Sequence, residues 1–232
     1  DFGCASLGEA ISLRKAGIAN KADLYVFSDT AIYQPELMEL YEEFSILPVL
    51  YSFEGLDKWL SLKLPVVIKC DTGMNRLGFE AKDIPKLIEA LKLNGRKEVH
   101  HLMTHLSSSS KKIAPECKAL KQIDVFEQIQ AEFKAAGINI VHTSLANSGA
   151  IEQGLHKKTS YIRPGIVMYG PSGVDDSRDW QGEVISDLDA RVLAVKSIPA
   201  QAEVGYNDTV IEKEGKLAIL SLGYGDGLFR SA

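Results

Sequence analysis

Four polar side chains crowd the exit of one apolar run. Lys69, Asp71, Asn75 and Arg76 follow Val66-Val67-Ile68 within eight positions. The run is rich in β-branched residues and bounded by Pro65 and Asp71-Thr72-Gly73, so it reads as a strand buried on both faces, as in a parallel sheet. Chemistry in α/β folds collects at the carboxyl ends of such strands. Gly73 and Gly78 let the backbone turn sharply around Arg76. An ordinary strand exit with a surface ion pair would use the same residues.

Further blocks carry candidate chemistry. His105 closes the strand-like Met103-Thr104-His105; such a histidine is a titratable group near neutrality, though strand-end histidines are more commonly solvated or packed. Asn147-Ser148-Gly149 falls at a predicted helix start, where free N–H groups and the helix dipole favour phosphate; a plain helix cap needs the same residues. Arg163, in Arg163-Pro164-Gly165, is either buried with a partner or aimed into a site. Tyr206 lies in the turn Gly205-Tyr206-Asn207-Asp208, and Gly223 to Gly227 forms a tight Gly-rich strand exit. No GxGxxG or Walker motif occurs, and no His/Asp/Glu spacing calls for a metal.

The elements that must position these residues alternate. Ser6-Leu7-Gly8-Glu9 has capping-box spacing, ahead of a helix with Leu7, Ala10, Ile11 and Ala16 on its stripe and Gly17 as its stop. Strands are predicted over 24–27, 46–51, 66–69, 99–104, 138–141 and 162–169, the last despite Pro164. Helices are predicted from Pro35, over 55–62, around Pro85 and over 121–136, where Ile123, Phe126, Ile129 and Phe133 face one way. Ser107 to Lys112 reads as an exposed loop. Each connection is long enough for a parallel crossover, and both an α/β barrel and an open doubly wound sheet fit. Beyond a polar, turn-rich stretch at 171–182, with Asp175-Asp176 and Asp179, come strand-like runs without helices at 190–195, 209–211 and 217–222. A second, all-β domain starts there.

The totals agree with a globular enzyme-sized chain. It has 232 residues, 45% hydrophobic and 25% charged, with net charge −5. That balance argues against a sequence-independent nucleic-acid binder. Cys4, Cys70 and Cys117 form no Cys-x-x-Cys and imply no disulfide framework, which fits a reducing, cytoplasmic setting. No apolar run is long enough to cross a bilayer. The start at Asp1 and the end at Arg230-Ser231-Ala232 both look cut, so a piece of a longer protein is expected.

Order and spacing then carry a resemblance. Lys69 to Gly78 closely resembles the K-x-D-T-G-M-x-R-L-G signature of alanine racemases, which are pyridoxal 5'-phosphate (PLP) enzymes. Met103 to Leu106 resembles that family's T-H-F segment and Ser144 to Ser148 its A-N-S block. Arg163 to Gly170 matches R-P-G-I-x-x-Y-G. Val204-Gly205-Tyr206 resembles its V-G-Y-G turn, Leu222 to Gly227 its G-Y-x-D-G exit, and Ala5 to Gly17 its opening helix. The resemblance spans essentially the whole chain.

It implies a partial (β/α)8 TIM-like barrel lacking its first strand, residues 1–182, holding PLP. The start of an all-β C-terminal domain follows at 183–232. It implies a cytoplasmic homodimer that interconverts L- and D-alanine for peptidoglycan through a PLP Schiff base and two-base proton transfer. Tyr206 would be one base and would serve the partner's site. A phenol with a pKa near about 10 needs neighbouring positive charge for that task. His105 would sit by that tyrosine, with Arg163 beyond it at the pyridine nitrogen. Ser148 and the N–H groups near Gly165 and Ile166 would hold the phosphate, with Asn147 beside them. Arg76 would face the PLP phenolic oxygen and the substrate carboxylate, and Lys69 matches a position that some members carry as a carbamate. The family's V-x-K-A-N-A-Y-G-H-G block with the PLP lysine is not found, so no lysine is assigned that role and the chain alone is expected to be inactive. Leu106-Ser107-Ser108-Ser109 replaces F-A-x-A-D, and Asn207 replaces a glycine. Racemisation of serine or another amino acid is an alternative. A non-catalytic PLP-binding protein on the same barrel is another, opposed by the Gly205-Tyr206 and Gly223 to Gly227 blocks.

Overall fold

A computed structural model describes residues 1–18, 20–175, 180, 182–206 and 208–229. Asp176, Asp179, Asn207 and the segment 230–232 therefore lie outside the described residues. The chain divides into two compact units, Asp1–Glu183 and Val184–Ala232.

The first unit alternates strands and helices in chain order: β1 (Phe2–Cys4), α1 (Leu7–Lys15), β2 (Leu24–Val26), α2 (Pro35–Glu43), β3 (Ile46–Leu50), α3 (Phe53–Leu60), β4 (Val67–Asp71), β5 (Phe79–Glu80), α4 (Ile84–Leu93), β6 (Glu98–Met103), α5 (Lys118–Ala135), β7 (Asn139–Ala146), α6 (Ser148–Glu152) and β8 (Tyr161–Ile162). Local chemistry sets the ends. Ser6 caps α1 by accepting the Glu9 N–H, Pro35 opens α2 where a missing N–H costs little, and Gly17 leaves α1 at φ +73°.

Among the described residues, seven strands form one parallel sheet in the order β1-β2-β3-β4-β6-β7-β8, with β5 attached to β4. Neighbours pair in parallel throughout, for example Leu24 with Ile46, Val67 with His101 and Met103 with Ser144. A doubly wound sheet reverses its strand order at a switch point; this one advances strictly in sequence. Periodicity left the two architectures open, and strand order decides for the partial barrel.

The two faces of the sheet differ. Leu24, Val26, Ile46, Leu50, Ile68 and Leu102 pack against helix residues such as Trp59, Leu87, Phe126 and Phe133. The opposite face carries Tyr25, Leu47, Val49, Val67 and Met103. Alternation with period two explains this sorting, and it carries Lys69 to the Val67 face, away from the helices.

Four expectations are corrected. Residues 162–169 do not form a strand: pairing stops at Ile162, and Ile166–Tyr169 is a 3-10 turn. Pro164 has no N–H for a ladder, and Gly165 takes φ −127°, ψ −96°. Glu9 closes no reciprocal capping box, because its carboxylate takes the Ala5 N–H instead. Ser107 to Ser110 is not an exposed loop, since Ser109 is 3% exposed. A strand, β1, precedes the first helix.

The second unit holds β9 (Val192–Ile198), β10 (Glu203–Val204), β11 (Thr209–Val210) and β12 (Gly215–Leu220). β9 and β12 pair antiparallel, as do β10 and β11. Val192, Leu193, Val195, Ile219 and Leu220 are exposed there. No described helix is long and apolar enough to cross a membrane.

Trp59 is fully buried, stands edge-on to Tyr41, and donates from Nε1 to the Pro65 carbonyl at 2.8 Å, just ahead of β4. Replacing Trp59 by Ala is expected to cost about 3–5 kcal/mol. A urea titration would show this as a lowered midpoint with little change in slope.

Candidate active site

The loop after β4 is tied to a single carboxylate. Asp71 Oδ1 accepts the N–H groups of Gly73 (2.9 Å) and Asn75 (3.0 Å), and Oδ2 accepts that of Arg76 (2.8 Å). The chain then turns back at Gly78, φ +142°, where a Cβ would lie 2.5 Å from the Asp71 nitrogen. Only glycine fits. β5 pairs alongside β4, Cys70 with Phe79, so the loop is closed on its own strand. Arg76 stands exposed at its tip.

Buried polar groups fasten this loop to its neighbours. Thr72 Oγ1 meets Thr104 Oγ1 at 2.8 Å. Gln122, 1% exposed on α5, donates to Thr72 Oγ1 and to the His105 carbonyl, and accepts the Ser107 N–H. Asn147 is equally committed. Its Oδ1 accepts from Ala150 N and Ser109 Oγ, and its Nδ2 donates to the Leu106 carbonyl (3.0 Å) and lies 3.3 Å from His105 Nε2. With the amide nitrogen as donor, Nε2 is the acceptor and His105 is neutral.

Arg163, next to the end of β8, is half-buried. Its Nη1 donates to Ser144 Oγ and its Nη2 to the Thr104 carbonyl. Among the described residues no carboxylate pairs with it. Burial lowers its pKa to about 10, so it stays charged at neutrality. Lys69, 7% exposed, is brought down to about 8 by burial, then by Arg76 and Arg163, against Asp71. Burial, followed by Arg163, Arg76 and Lys69, lowers His105 to about 4.

Arg163 and His105 border a cavity of about 370 Å³, lined in part also by Asn147, Ser148, Gly165 and Ile166. Small-molecule sites run from about 300 to 1,000 Å³. Ser148 Oγ accepts the Gly165 N–H at 3.0 Å, leaving its own proton to donate. Beside it two backbones touch: a Cβ on Gly149 would lie 2.2 Å from the Ser109 oxygen, and one on Gly173 would lie 2.5 Å from the Gly149 nitrogen. The result is a hollow with one guanidinium, Arg163, in its lining and a floor of hydroxyl and backbone groups, suited to a small anion.

The structure thus brings together His105, Asn147, Ser148, Arg163, Gly165 and Ile166, with Lys69 close enough to feel Arg163 and Arg76. Tyr206 belongs to the second unit, where it is 88% exposed. Sequence reasoning missed Gln122, Ser109, Thr72, Thr104 and Ser144. Gln122 left a trace, a polar residue three positions after Ala119 on the apolar stripe of α5. The others left none.

Fold and site define a partial α/β barrel with an anion-suited cavity at the carboxyl ends of its strands, followed by an antiparallel β unit. The family model "Alanine racemase, N-terminal domain" matches residues 1–173, and "Alanine racemase, C-terminal domain" matches 185–232. The chain belongs to the alanine racemase family. It is 32% identical to an alanine racemase of Brucella suis over its whole length, and 33% identical to a catabolic alanine racemase of Rhizobium johnstonii over 99% of it. It spans about 60% of the length of these relatives. The crystal structure of alanine racemase from Bartonella henselae with covalently bound pyridoxal phosphate is similar, with TM-score 0.82 and 27% identity over 99% of this chain and 63% of that one. The Enterococcus faecalis (E.faecalis) alanine racemase structure has TM-score 0.79 and 25% identity, over 99% of this chain and 62% of that one.

Burial alone would raise the Asp71 pKa, but the N–H groups of Gly73, Asn75, Arg76 and Met74 outweigh it and hold the carboxylate below its ordinary 3.8. A depressed carboxylate stabilises the fold above its unfolded pKa and loses that contribution as pH falls through the folded value. The loop is therefore expected to open in acid, below about pH 4. Asp71→Ala is expected to cost about 1–3 kcal/mol at pH 7 and to abolish that acid transition, read from the amide signals of Gly73 to Arg76 across a pH series.

Proposed function

We propose that the full-length protein is an amino-acid racemase that interconverts L- and D-alanine with PLP. The observation that most directly supports this reading is Arg163: a half-buried guanidinium without a carboxylate partner among the described residues, at the edge of a cavity that also holds Ser148. The residues present fit the cofactor. Ser148, with N–H groups of the Gly165-Ile166 turn, would take the phosphate, and Arg163 would take the ring nitrogen.

When bound, PLP supplies delocalisation of the electron pair left at the amino acid α-carbon. The residues of this chain set the terms. Arg163 only donates, so it keeps a ring nitrogen unprotonated and weakens side reactions that need a stronger electron sink. Arg76, exposed and held by Asp71, offers a fork to the substrate carboxylate. His105, kept neutral, is an acceptor. Tyr206 moves the proton at the α-carbon on one face and, in a homodimer, serves the partner subunit's site. Its exposure leaves it available for that role. The reading includes a cytoplasmic enzyme that supplies D-alanine for peptidoglycan. Conversion is assigned to the protein that carries a cofactor-binding lysine, since none of the blocks in this chain matches one.

The test uses full-length protein reconstituted with PLP. A cofactor absorption band, L-to-D alanine conversion, and a loss of roughly 10²–10⁴-fold in Tyr206→Phe would support the reading. A cofactor band without alanine conversion would overturn it in favour of another amino acid or a non-catalytic cofactor protein.

Lys69 has a chemistry of its own. A neutral amine adds carbon dioxide to give a carbamate and a proton, and an anion there would meet the charges of Arg76 and Arg163. Protein incubated with ¹³C-bicarbonate is expected to show a bound carbonyl resonance that disappears in Lys69→Met. An unmodified amine in the parent would count against the adduct.

A further inference from the structure

We propose that His101 is a positioning residue for Arg163, acting through the Ser144 hydroxyl. Ser144 Oγ accepts from Arg163 Nη1 and lies 2.8 Å from His101 Nε2. Arginine can only donate, so the serine oxygen is an acceptor on that side. The serine proton then needs an acceptor of its own. Among the described residues the only one in reach is His101 Nε2. The chain of bonds has one polarity: Arg163 N–H to Ser144 oxygen, Ser144 O–H to His101 nitrogen.

That polarity dictates the state of the imidazole. Nε2 is unprotonated, and the ring hydrogen sits on Nδ1, which is buried and has no partner. Buried N–H groups without partners are rare. The fold leaves one here, and the acceptor at Nε2 is what accompanies it. A protonated ring would present a donor to Ser144, and Ser144 could not then accept from both sides and place its own proton.

The surroundings hold His101 neutral. It is 2% exposed. Tyr25 from β2 stands edge-on at 5.3 Å, Tyr161 from β8 lies at 5.5 Å and His142 from β7 at 6.1 Å. Its neighbour His100 is turned to Asp23, Nε2 to Oδ2 3.0 Å. Burial, then Arg163, His142 and His100, lower its pKa to about 3, against a weaker opposing pull from Asp23. Its placement follows from the backbone of β6. The Val66 carbonyl accepts the N–H groups of both His100 and His101, at 2.8 and 3.4 Å. This shared acceptor lets two consecutive side chains reach Tyr25, whereas strict alternation would send one of them to the helices.

The arrangement itself is independent of the proposed function; only its consequence for a cofactor rests on that reading. In full-length holoenzyme labelled with ¹⁵N-histidine, long-range ¹H–¹⁵N correlations should show His101 as the Nδ1–H tautomer, unchanged down to about pH 5. Crystal structures should show the Arg163 guanidinium displaced in Ser144→Ala and kept in Ser144→Thr. The absorption band of bound cofactor, insensitive to pH in the parent, should acquire a pH dependence in Ser144→Ala and His101→Phe. In both, kcat should fall roughly tenfold with KM for alanine little changed. His101→Gln, which keeps an acceptor, should restore both. An Nε2–H tautomer in the parent, or a Ser144→Ala structure with Arg163 in place and an unaltered band, would overturn the proposal. If no version binds PLP, the racemase reading fails, and the tautomer and the Arg163 position still decide this one.

Discussion

Positive charge is concentrated at one end of this sheet with almost nothing negative to balance it. Arg76 and Arg163 both act on Lys69 there, and the carboxylate that opposes them, Asp71, is already taken by the backbone of its own loop. Lys69 and His105 both respond. The pKa of the Lys69 amine is lowered to about 8, the His105 imidazole is neutral, and Arg163 is anchored by a hydroxyl and a carbonyl. Such a site is unfavourable by itself and favours any small anion that enters it.

Rigid elements hold the arrangement. Period-two alternation places Lys69 on the face away from the helices, and sequential parallel pairing brings the ends of β4, β6, β7 and β8 side by side. From there one connected set of hydrogen bonds joins five segments: Gln122 to Thr72, Thr72 to Thr104, the Thr104 carbonyl to Arg163, and Arg163 to Ser144. The loop that bears Arg76 and the guanidinium beside β8 are thus parts of one polar core, which is why a residue on α5 belongs to the site.

Much of this was legible in the sequence, and the failures have physical reasons. The exit of β4 was readable because its apolar run ends abruptly in charges. Asn147 was readable as a helix start, yet its amide serves the loop at 106–109 as much as the helix. The run after Arg163 looked like a strand because Ile166, Val167 and Tyr169 have strand-forming side chains; a missing N–H at Pro164 and the backbone of Gly165 outweighed them. Four consecutive serines, Ser107 to Ser110, looked like solvent-exposed loop, but Ser109 is buried because Asn147 gives it a partner. Ser144 could not be found at all. Its role depends on Arg163, nineteen positions away, and on an imidazole from the adjacent strand, and no spacing within one element encodes a meeting across three.

The contact between Gly149 and Gly173 has a mechanical side. The segment around Gly173 is bound on several sides: Gly173 N–H to Glu152 Oε2 at 2.9 Å, Ser172 Oγ to the same carboxylate, and Asp175 N–H to the Ser110 carbonyl at 2.7 Å. It therefore works as a strap across the turn that presents Ser148. Local opening of the strap and loosening of the anion hollow become one event, because neither backbone can move far without the other. An occupant of the hollow would then slow hydrogen exchange not only at Gly173, which lines it, but also at Asp175, which does not, by the free energy of its own binding.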